Sequence, residues 1–304
     1  MVATTARTDT RTFGPQASNI RPCKRSPGSH ITLGGEEFFA WLVSIVTSIP
    51  ALKFTASGMG LDVAQELDKT GLWKVHIIGS NANRGEEAAA SLRNTIFHQV
   101  DVTKYEQQGA AFDKIFNEER RLDFVLANAG IAEDTTMFFA RHPTRIPPPP
   151  NMTSLTDINF TGAIYTSYLA MHYFRRSPEK TKGNRHLIIM SNGLVGFTRS
   201  VGKWLLDEGV KVNTVCPGVV LTPLMTTELQ AFFPEKIVMK MSDVTNVVLK
   251  LISGTEVTDS NGTSVPSDQL HSRAILISGK QYHYVEMPEY FDEKTQLTHQ
   301  HMMG

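Results

Sequence analysis

The feature that most constrains the fold is a regular alternation of short apolar runs with segments of helical spacing, which begins near Leu61. Most of the apolar runs are rich in β-branched residues, as buried strands are, and they lie at 74–79, 95–100, 122–127, 186–190, 211–216 and 274–278. The helical patterns lie at 61–69, 84–92, 105–119, 155–174, 195–207 and 242–252. This order predicts a parallel sheet with helices on both faces and right-handed crossovers.

The residues that follow the predicted strands are the first candidates for a site. Ligands of such sheets bind in the crevice beyond the carboxyl ends of the strands. Turn-forming or polar residues stand at these places: Asp101 and Val102, then Asn128, Ala129 and Gly130, then Ser191, and finally Pro217 and Gly218 with Thr222 shortly after. Each turn alone is ordinary, because Asn, Asp, Gly and Pro dominate turns. Their shared position at strand ends is what predicts a binding crevice.

A short glycine motif, Ser57-Gly58-Met59-Gly60, stands before the first helical pattern. Glycines at that point let backbone N–H groups approach a phosphate at the helix N-terminus, where the helix dipole favours anions. The same residues also fit a plain helix entry. The motif by itself leaves both interpretations open.

With these motifs in place, the chain resembles the short-chain dehydrogenase/reductase family over residues 57–278. The resemblance is carried by SGMG, DVT, NAG, INFTG, a strand that ends in Ser191, and CPGVVLTPL. GFTRSVGKWL and NTVCPGVVLTPLM are similar to the hydroxyprostaglandin-dehydrogenase branch of that family. The resemblance implies a single-domain α/β fold with a Rossmann-type doubly wound parallel sheet. It also implies NAD(P)-dependent hydride transfer between a secondary alcohol and a ketone.

The resemblance implies roles for individual residues as well. The cofactor-binding set comprises Ser57, Gly58, Met59 and Gly60 at the pyrophosphate, Asp101 and Val102 at the adenine, Asn128, Ala129 and Gly130 at the adenosine ribose, and Pro217, Gly218, Val220 and Thr222 at the nicotinamide end. The implied catalytic residues are Ser191 and Asn159. In this family the backbone of the residue that corresponds to Asn159 holds a water of the proton relay. Ser191 is alternatively only a neighbour of the catalytic position, because Asn192 occupies the place of the family's second serine.

The choice between NADP and NAD depends on the end of the second strand. An acidic residue there bonds the ribose 2′-hydroxyl of NAD. This chain has Gly79, Ser80 and Asn81 at that point, with Arg84 shortly after. No carboxylate stands there to repel a 2′-phosphate, so both cofactors are expected to be accepted, with a slight preference for NADP.

The acid that the resemblance implies is missing. The family places a tyrosine about a dozen residues after the fifth-strand serine and a lysine four residues later, which lowers the phenol pKa from about 10 toward neutrality. Here residues 192–197 separate Ser191 from Thr198, and none of them is Tyr or Lys. The only Y-x-x-x-K in the chain, Tyr290 to Lys294, follows the last strand and is interpreted as a chance match. The helix after the fifth strand is therefore expected to be incomplete.

The first strand is also disturbed, because Phe54 stands where the family has its first glycine. Removing residues 36–55 would join ITLGG to ASGMGL and restore the glycine spacing. One hypothesis is thus a misread gene, with a retained intron at 36–55 and a skipped segment after Ser191. The alternative is that 42–48 or 51–55 forms a substitute first strand with a shortened phosphate loop.

These considerations divide the chain into three regions. Residues 1–55 are expected to form a poorly ordered extension with the apolar insert at 36–55, residues 56–285 the dinucleotide-binding domain, and residues 286–304 a C-terminal tail. Two functional hypotheses remain. The chain is an active oxidoreductase on a small, hydrophobic substrate, or it is a nucleotide-binding pseudoenzyme that acts as a partner or regulator.

Charge and composition exclude several other classes. Lys plus Arg and Asp plus Glu number 30 each, so no global field attracts nucleic acid or an anionic membrane surface. The apolar run at 38–49 is shorter than the roughly 20 residues that a membrane-spanning helix needs, so buried core, a disordered insert and a membrane-surface anchor stay open for it. The expected partner is a small alcohol or ketone, and no metal site is expected. Homo-oligomers are in doubt, because related proteins pair through helices that include the shortened one.

The cysteines and the N-terminus bear on location. Cys23 and Cys216 are the only cysteines and give no disulfide framework, which suits a reducing compartment. The polar N-terminal residues lack the layout of a secretory signal peptide. We therefore expect a cytoplasmic protein.

Overall fold

The computed structural model describes residues 40–45, 58–131, 145–146, 153–222, 233–287 and 289–302, which all belong to one compact unit, Leu33–Gly304. Its strands are β1 (Ala40–Ile45), β2 (Trp73–Gly79), β3 (Thr95–Gln99), β4 (Phe124–Ala127), β5 (Arg185–Met190), β6 (Val210–Pro217), β7 (Val219–Val220), β8 (Val238–Met239), β9 (Val257–Thr258), β10 (Ser264–Val265), β11 (Ala274–Ser278) and β12 (Gln281–Tyr284).

The α-helices are α1 (Met59–Thr70), α2 (Ala82–Ala90), α3 (Tyr105–Glu119), α4 (Ala163–Arg176), α5 (Val195–Leu206), α6 (Met241–Ile252) and α7 (Glu293–Met302). A short α-helical turn at Thr153–Thr156 and a π-helical segment at Asp157–Gly162 lead into α4. Short 3-10 helices lie at Glu179–Thr181, Glu235–Ile237 and Ser267–Gln269. No helix of the described ranges is long and apolar enough to cross a membrane.

The main sheet has the strand order β12-β11-β6-β5-β4-β1-β2-β3. Its strands pair in parallel from β3 to β11, and β12 joins the edge in antiparallel orientation. The chain moves outward from β1 to β3 on one side and from β4 to β6 on the other. This is a doubly wound Rossmann-type sheet whose switch point lies between β1 and β4.

The six predicted strands and the six predicted helices are all found, with bounds that differ by no more than two residues. The predicted helix at 155–174 differs in kind over part of its length, because Asp157–Gly162 is π-helical. The hairpin strand β12 was not predicted. Helix α7 likewise occupies most of the region that the sequence indicated as a plain tail.

β1 lies where the expected boundaries placed an N-terminal extension. Ala40–Ile45 pairs in parallel with β2 over its whole length and with β4 from Leu42 to Ser44. The substitute-strand alternative at 42–48 overlaps this strand, and the domain therefore begins before residue 56. An apolar run with a β-branched centre fits a strand that has neighbours on both sides. Ser57, the first residue of the predicted pyrophosphate-binding motif, lies outside the described residues.

Two apolar layers cover the sheet, one on each face. Successive strand residues point to opposite faces, so Ile188 belongs to the layer that contains α1 and α6, whereas Ile189 belongs to the layer of α3, α4 and α5. Phe112 and Phe174 are among the largest side chains with almost no exposed surface, and both lie in the second layer. This two-sided burial fixes the positions of the strand ends, which carry the site.

A buried histidine near the start of β5 makes the stability of this fold depend on pH. His186 is 4% exposed and lies between Phe124 of β4 and Lys211 of β6. Burial, and secondarily the Lys211 charge, lowers the pKa of His186 to about 3. The unfolded chain binds the same proton with a pKa near 6.5. The stability contributed by neutral His186 is therefore present above about pH 6.5 and is lost progressively as the pH falls toward 3.

The replacement His186→Gln should reduce the loss of stability on acidification. Between about pH 6 and 4 the wild-type free energy of unfolding should fall more steeply than that of the variant, by up to about 1.4 kcal/mol per pH unit. Urea unfolding at a series of pH values measures both slopes. The exposed His172 on α4 provides a control variant, His172→Gln. Equal slopes for His186→Gln and the wild type would contradict the assignment.

Candidate functional site

The parallel register brings the ends of β4, β5 and β6 to one edge of the sheet, called the carboxyl edge below. Ala127 pairs with Ile189, and Met190 pairs with Val215. The residues that follow β5 are bonded to the end of β6. The Ser191 N–H donates to Val215 O at 3.0 Å, and the Asn192 side chain approaches Pro217 O at 3.5 Å. The candidate residues after these strands are therefore neighbours in space.

Asn159 fastens the helix that follows β4 to the NAG turn. Its side chain accepts from the Ile131 N–H at 2.8 Å and donates to Ile131 O at 2.9 Å, so one amide satisfies both backbone groups of that residue. A Cβ on Gly130 would lie 3.4 Å from Asn159 Oδ1, in ordinary contact. Asn159 lies within the π-helical segment, a local widening that is frequent at functional sites. Asn159 thus lies directly beside the NAG turn, and its proposed role in the proton relay stays a prediction.

The same π-helical segment is joined to the DVT turn through a buried glutamine. Gln108 of α3 donates to Val102 O at 2.6 Å and to Gly162 O at 3.2 Å, and it accepts from the Thr166 hydroxyl at 2.8 Å. A Cβ on Gly162 would lie 3.1 Å from Val102 Cγ2 and 3.2 Å from Val102 O. Only a residue without a side chain permits this approach without a shift, so Gly162 sets the distance between the two segments.

One carboxylate oxygen of Asp101 forms hydrogen bonds within its own turn. Asp101 Oδ1 accepts from the Thr103 N–H at 2.9 Å and from the Thr103 hydroxyl at 2.8 Å. Its own N–H donates to Gln107 Oε1 at 2.8 Å. The turn holds Val102, which is 2% exposed, against the layer of α3 and α4. The predicted adenine residues therefore have a fixed backbone at the carboxyl edge.

The PGxxxT segment is held beside the end of β11. The Gly218 N–H donates to Ile277 O at 3.0 Å, and a Cβ on Gly218 would lie 3.3 Å from that oxygen. Val220 pairs with Met239 in the short β7–β8 ladder and is buried. Thr222 is half-buried and is the last described residue before the gap at 223–232. The predicted nicotinamide end of the groove is thus anchored on both of its sides.

Helix α1 presents its N-terminus with glycines as the sequence predicted. Gly58 is the N-cap with a φ of 141°, a conformation that favours glycine, and Gly60 is buried. Asp62 in the first turn accepts from the Thr245 hydroxyl of α6 at 2.5 Å. Since α6 begins directly after β8, this bond places the first turn of α1 near the carboxyl edge. Ser57 itself is outside the described part of the chain.

Ser191 lies at the expected strand end, but a tyrosine partner is not beside it in the chain. Its hydroxyl accepts from the Gly193 N–H at 3.1 Å, and α5 begins only four residues after it, at Val195. Tyr290 precedes the start of α7 at Glu293, whereas Lys294 lies within that helix. The C-terminal Y-x-x-x-K therefore does not form one helical face, in agreement with its interpretation as a chance match.

Sequence reasoning missed two parts of the candidate site, Gln108 and the backbone of Ile131. Neither carries a local signal, because Gln108 reads as one polar position of α3 and Ile131 acts only through its backbone groups. Cys216 lies near the end of β6, and burial raises the pKa of its thiol to about 11, which disfavours the thiolate. Across the described ranges, no group of three or more His, Cys, Asp or Glu residues is placed to hold a metal ion.

Comparisons with known proteins agree on one family. A family model described as "Enoyl-(Acyl carrier protein) reductase" matches residues 54–258. The short-chain dehydrogenase/reductase prx7 of Penicillium rubens is 33% identical over 262 residues, which cover 77% of this chain and 93% of that protein. The 15-hydroxyprostaglandin dehydrogenase [NAD(+)] of Bos taurus is 27% identical over 194 residues, which cover 56% of this chain and 67% of that protein.

A solved structure shows the same fold. ElxO with NADP bound has a TM-score of 0.57 against this chain and 19% sequence identity. The match covers 78% of this chain and 96% of that one. At this identity the likeness concerns the fold, and it agrees with the doubly wound sheet described above.

Replacing Asn159 with alanine should loosen the carboxyl edge. Asn159→Ala removes both bonds to Ile131 in a half-buried place, so we expect the free energy of unfolding to fall by about 2 kcal/mol. Urea unfolding measures this change. Asn117→Ala is the matched control, because Asn117 is exposed on α3 and bonds only within its helix, to Asp113. A loss at Asn159 no larger than that at Asn117 would contradict the anchoring role.

Proposed function

We propose that this chain transfers a hydride between a secondary alcohol and a ketone, because it belongs to the short-chain dehydrogenase/reductase family of NAD(P)-dependent oxidoreductases. The substrate in this proposal is small and hydrophobic. The cofactor, NADP or NAD, occupies the groove along the carboxyl edge. The observation that carries the proposal is a hydrogen-bonded unit at this edge. Asn159 bonds to the backbone of Ile131 beside Gly130, and Gln108 connects the same helical segment to Val102.

The residues at the carboxyl edge fit a dinucleotide. Gly58 is the N-cap of α1, and the helix dipole at this end favours an anion such as a pyrophosphate. Gly130 and Gly218 keep the groove free of side chains at the positions assigned to the adenosine ribose and the nicotinamide end. When bound, the cofactor supplies the hydride chemistry. The protein's own part is to bind it, to orient it along the strand ends and to manage the proton of the substrate oxygen.

The end of β2 supports the preference for NADP. Asn81 caps α2, since its side-chain oxygen accepts from the Arg84 N–H at 3.0 Å. Residues 79–81 therefore present a neutral amide where NAD-selective relatives place a carboxylate. A 2′-phosphate meets no negative charge from these residues, and Arg84 lies on the first turn of α2 close by.

Ser191 is the candidate that contacts the substrate oxygen. Its hydroxyl can donate a hydrogen bond to that oxygen while it accepts from the Gly193 N–H. An alcohol hydroxyl alone does not serve as the neutral-pH acid and base of this family. Asn159 supports the relay by fixing the backbone around it. The proton of the substrate oxygen must therefore be exchanged with water. Because no tuned acid or base takes part in that exchange, we expect slow turnover.

A second candidate function follows from the missing tyrosine. Residues 192–197 contain no Tyr or Lys, and Tyr290 lies off the helix that carries Lys294. A groove that binds the nucleotide without a proton donor fits a pseudoenzyme that acts as a partner or regulator. A misread gene that has lost the segment after Ser191 would give the same chain, and sequencing of the transcript tests that origin.

We extend the proposal to substrate, assembly and location. The exposed Leu221 beside the nicotinamide end supports a hydrophobic substrate. Phe160 and Tyr168 are exposed near and on α4, and Trp204 is exposed on α5, which supports pairing of two copies through these helices. Cys216 is a free, buried thiol, which supports a cytosolic location.

Cofactor binding and turnover separate the two functions. The purified chain is titrated with NADPH and with NADH by fluorescence, and oxidation is then followed by absorbance with a panel of hydrophobic ketones. Turnover supports the oxidoreductase, and binding without turnover supports the pseudoenzyme. Failure to bind either nucleotide would contradict the proposal as a whole.

The replacement Asn81→Asp should reverse the cofactor preference. Aspartate keeps the cap of α2 but places a carboxylate beside the 2′-phosphate, so NADPH should bind about tenfold more weakly while NADH binding is kept or strengthened. Fluorescence titrations of the wild type and the variants with NADPH and with NADH give the two dissociation constants of each protein. Asn184→Asp adds the same charge just before β5, at the opposite edge, and is the control. An unchanged ratio of the two constants in Asn81→Asp would contradict the NADP preference.

A further inference from the structure

A cavity lies at the amino ends of β5 and β6, at the edge of the sheet opposite the groove. Its volume is about 430 Å³, and it is lined by Gly183, Leu206, Gly209, Lys211, Ser267 and Asp268. Volumes of about 300 to 1,000 Å³ are usual for small-molecule sites. The length of β5 separates the cavity from Ser191, roughly 20 Å at 3.3 Å per residue. The cavity is therefore not part of the cofactor groove.

The cavity contains a buried amine. Lys211 is 7% exposed, and its Nζ donates to the Ser267 hydroxyl at 2.9 Å. Burial lowers the pKa of Lys211, whereas the nearby Asp268 acts in the opposite direction and does not reverse the shift. A larger fraction of this amine is thus unprotonated near neutral pH than of an ordinary lysine, whose pKa is about 10.4.

The groups around Lys211 define the charge of the cavity. His186 of β5 is its register partner, and burial lowers the pKa of that histidine to about 3, so it is neutral. Burial, Arg273 and Lys211 together lower the pKa of His271. Asp268 is exposed on the 3-10 helix. The Asp268 carboxylate would repel a molecule that carries a carboxylate or a phosphate. It would not repel an uncharged molecule.

The remaining lining favours a short carbon chain. Leu206 contributes an apolar side chain from the end of α5. Gly183 and Gly209 contribute backbone only, and the Gly183 N–H already donates to Gly209 O at 2.9 Å. The cavity thus offers one amine, one hydroxyl, an apolar wall and the Asp268 carboxylate, a combination that suits a neutral carbonyl compound with an alkyl tail.

We propose that this cavity is a second small-molecule site, in which the Lys211 amine reacts reversibly with small uncharged aliphatic aldehydes. The Nζ lone pair forms a bond to the carbonyl carbon, and the carbonyl π electrons move to the oxygen, which takes up a proton. Loss of that oxygen as water, with protons from the amine, leaves a C=N bond to Nζ. One aldehyde and one amine give one imine and one water, so no oxidant or reductant takes part in the reaction.

Reductive trapping on the intact protein tests the site. The full chain is incubated at pH 7 with pentanal and cyanoborohydride, which converts the imine into a stable secondary amine, and peptide mass spectrometry then gives the rate for each lysine. Lys182 is the internal reference, because it lies next to Gly209 and its side chain is 45% exposed. We expect Lys211 to react at least about fivefold faster than Lys182. Glyoxylate, a charged aldehyde, should show a smaller ratio.

Two further measurements separate the proposal from nonspecific labelling. Asp268→Asn removes the charge that favours the ammonium form, so trapping at Lys211 should become about two to three times faster. In urea the ratio of Lys211 to Lys182 should fall to about one. A wild-type ratio near one in the folded protein would overturn the proposal, as would an unchanged rate in Asp268→Asn. The test keeps Lys211 in place, so it does not depend on whether a Lys211→Gln variant folds.

Discussion

The parallel pairing of β1 with β2 on one side and with β4 on the other is the constraint on which the rest of the structure depends. Without this strand, β2 and β3 would be separated from the part of the sheet that runs from β4 to β12. With it, both halves share one twist and one direction, and the ends of all parallel strands meet at the same edge. The chain supplies this strand from an apolar segment, Ala40–Ile45, that precedes the glycine motif.

The carboxyl edge is stiff because side chains, and not only strands, connect its parts. Gln108 is fully buried and bonds to the DVT turn, to the π-helical segment and to α4. Asn159 bonds to both backbone groups of Ile131, and Asp62 accepts a hydrogen bond from Thr245 across α1 and α6. A buried polar network of this kind is stable only when its members are satisfied together. These bonds connect the predicted site residues to one another, although residues 192–197 contain neither the tyrosine nor the lysine of the family.

The sequence predicts the parts of the fold that follow from local apolar pattern and fails where the signal is not local. Six strands and six helices are found where they were predicted, apart from the π-helical part at Asp157–Gly162, because buried runs and helical spacing mark them directly. β1 was placed outside the domain, because the interrupted glycine spacing outweighed the apolar run that forms the strand. β12 was missed since its residues, QYHY, are polar and aromatic and become a strand only by pairing with β11 after a tight turn at Gly279. In the candidate site, Asn159 and Gly130 were proposed from their motifs, whereas Gln108 has no such motif because its bonds join three elements distant in the chain.

The central claim is that the ends of consecutive parallel strands form a groove that binds a dinucleotide although the usual proton donor is absent. Hydrogen exchange of the full chain, with and without saturating NADPH, tests this claim most directly. The account predicts slower exchange at residues 58–62, 128–131 and 217–222, and unchanged exchange at the amino edge around residues 207–211. Protection at the amino edge, or no change at the three carboxyl-edge segments, would contradict it.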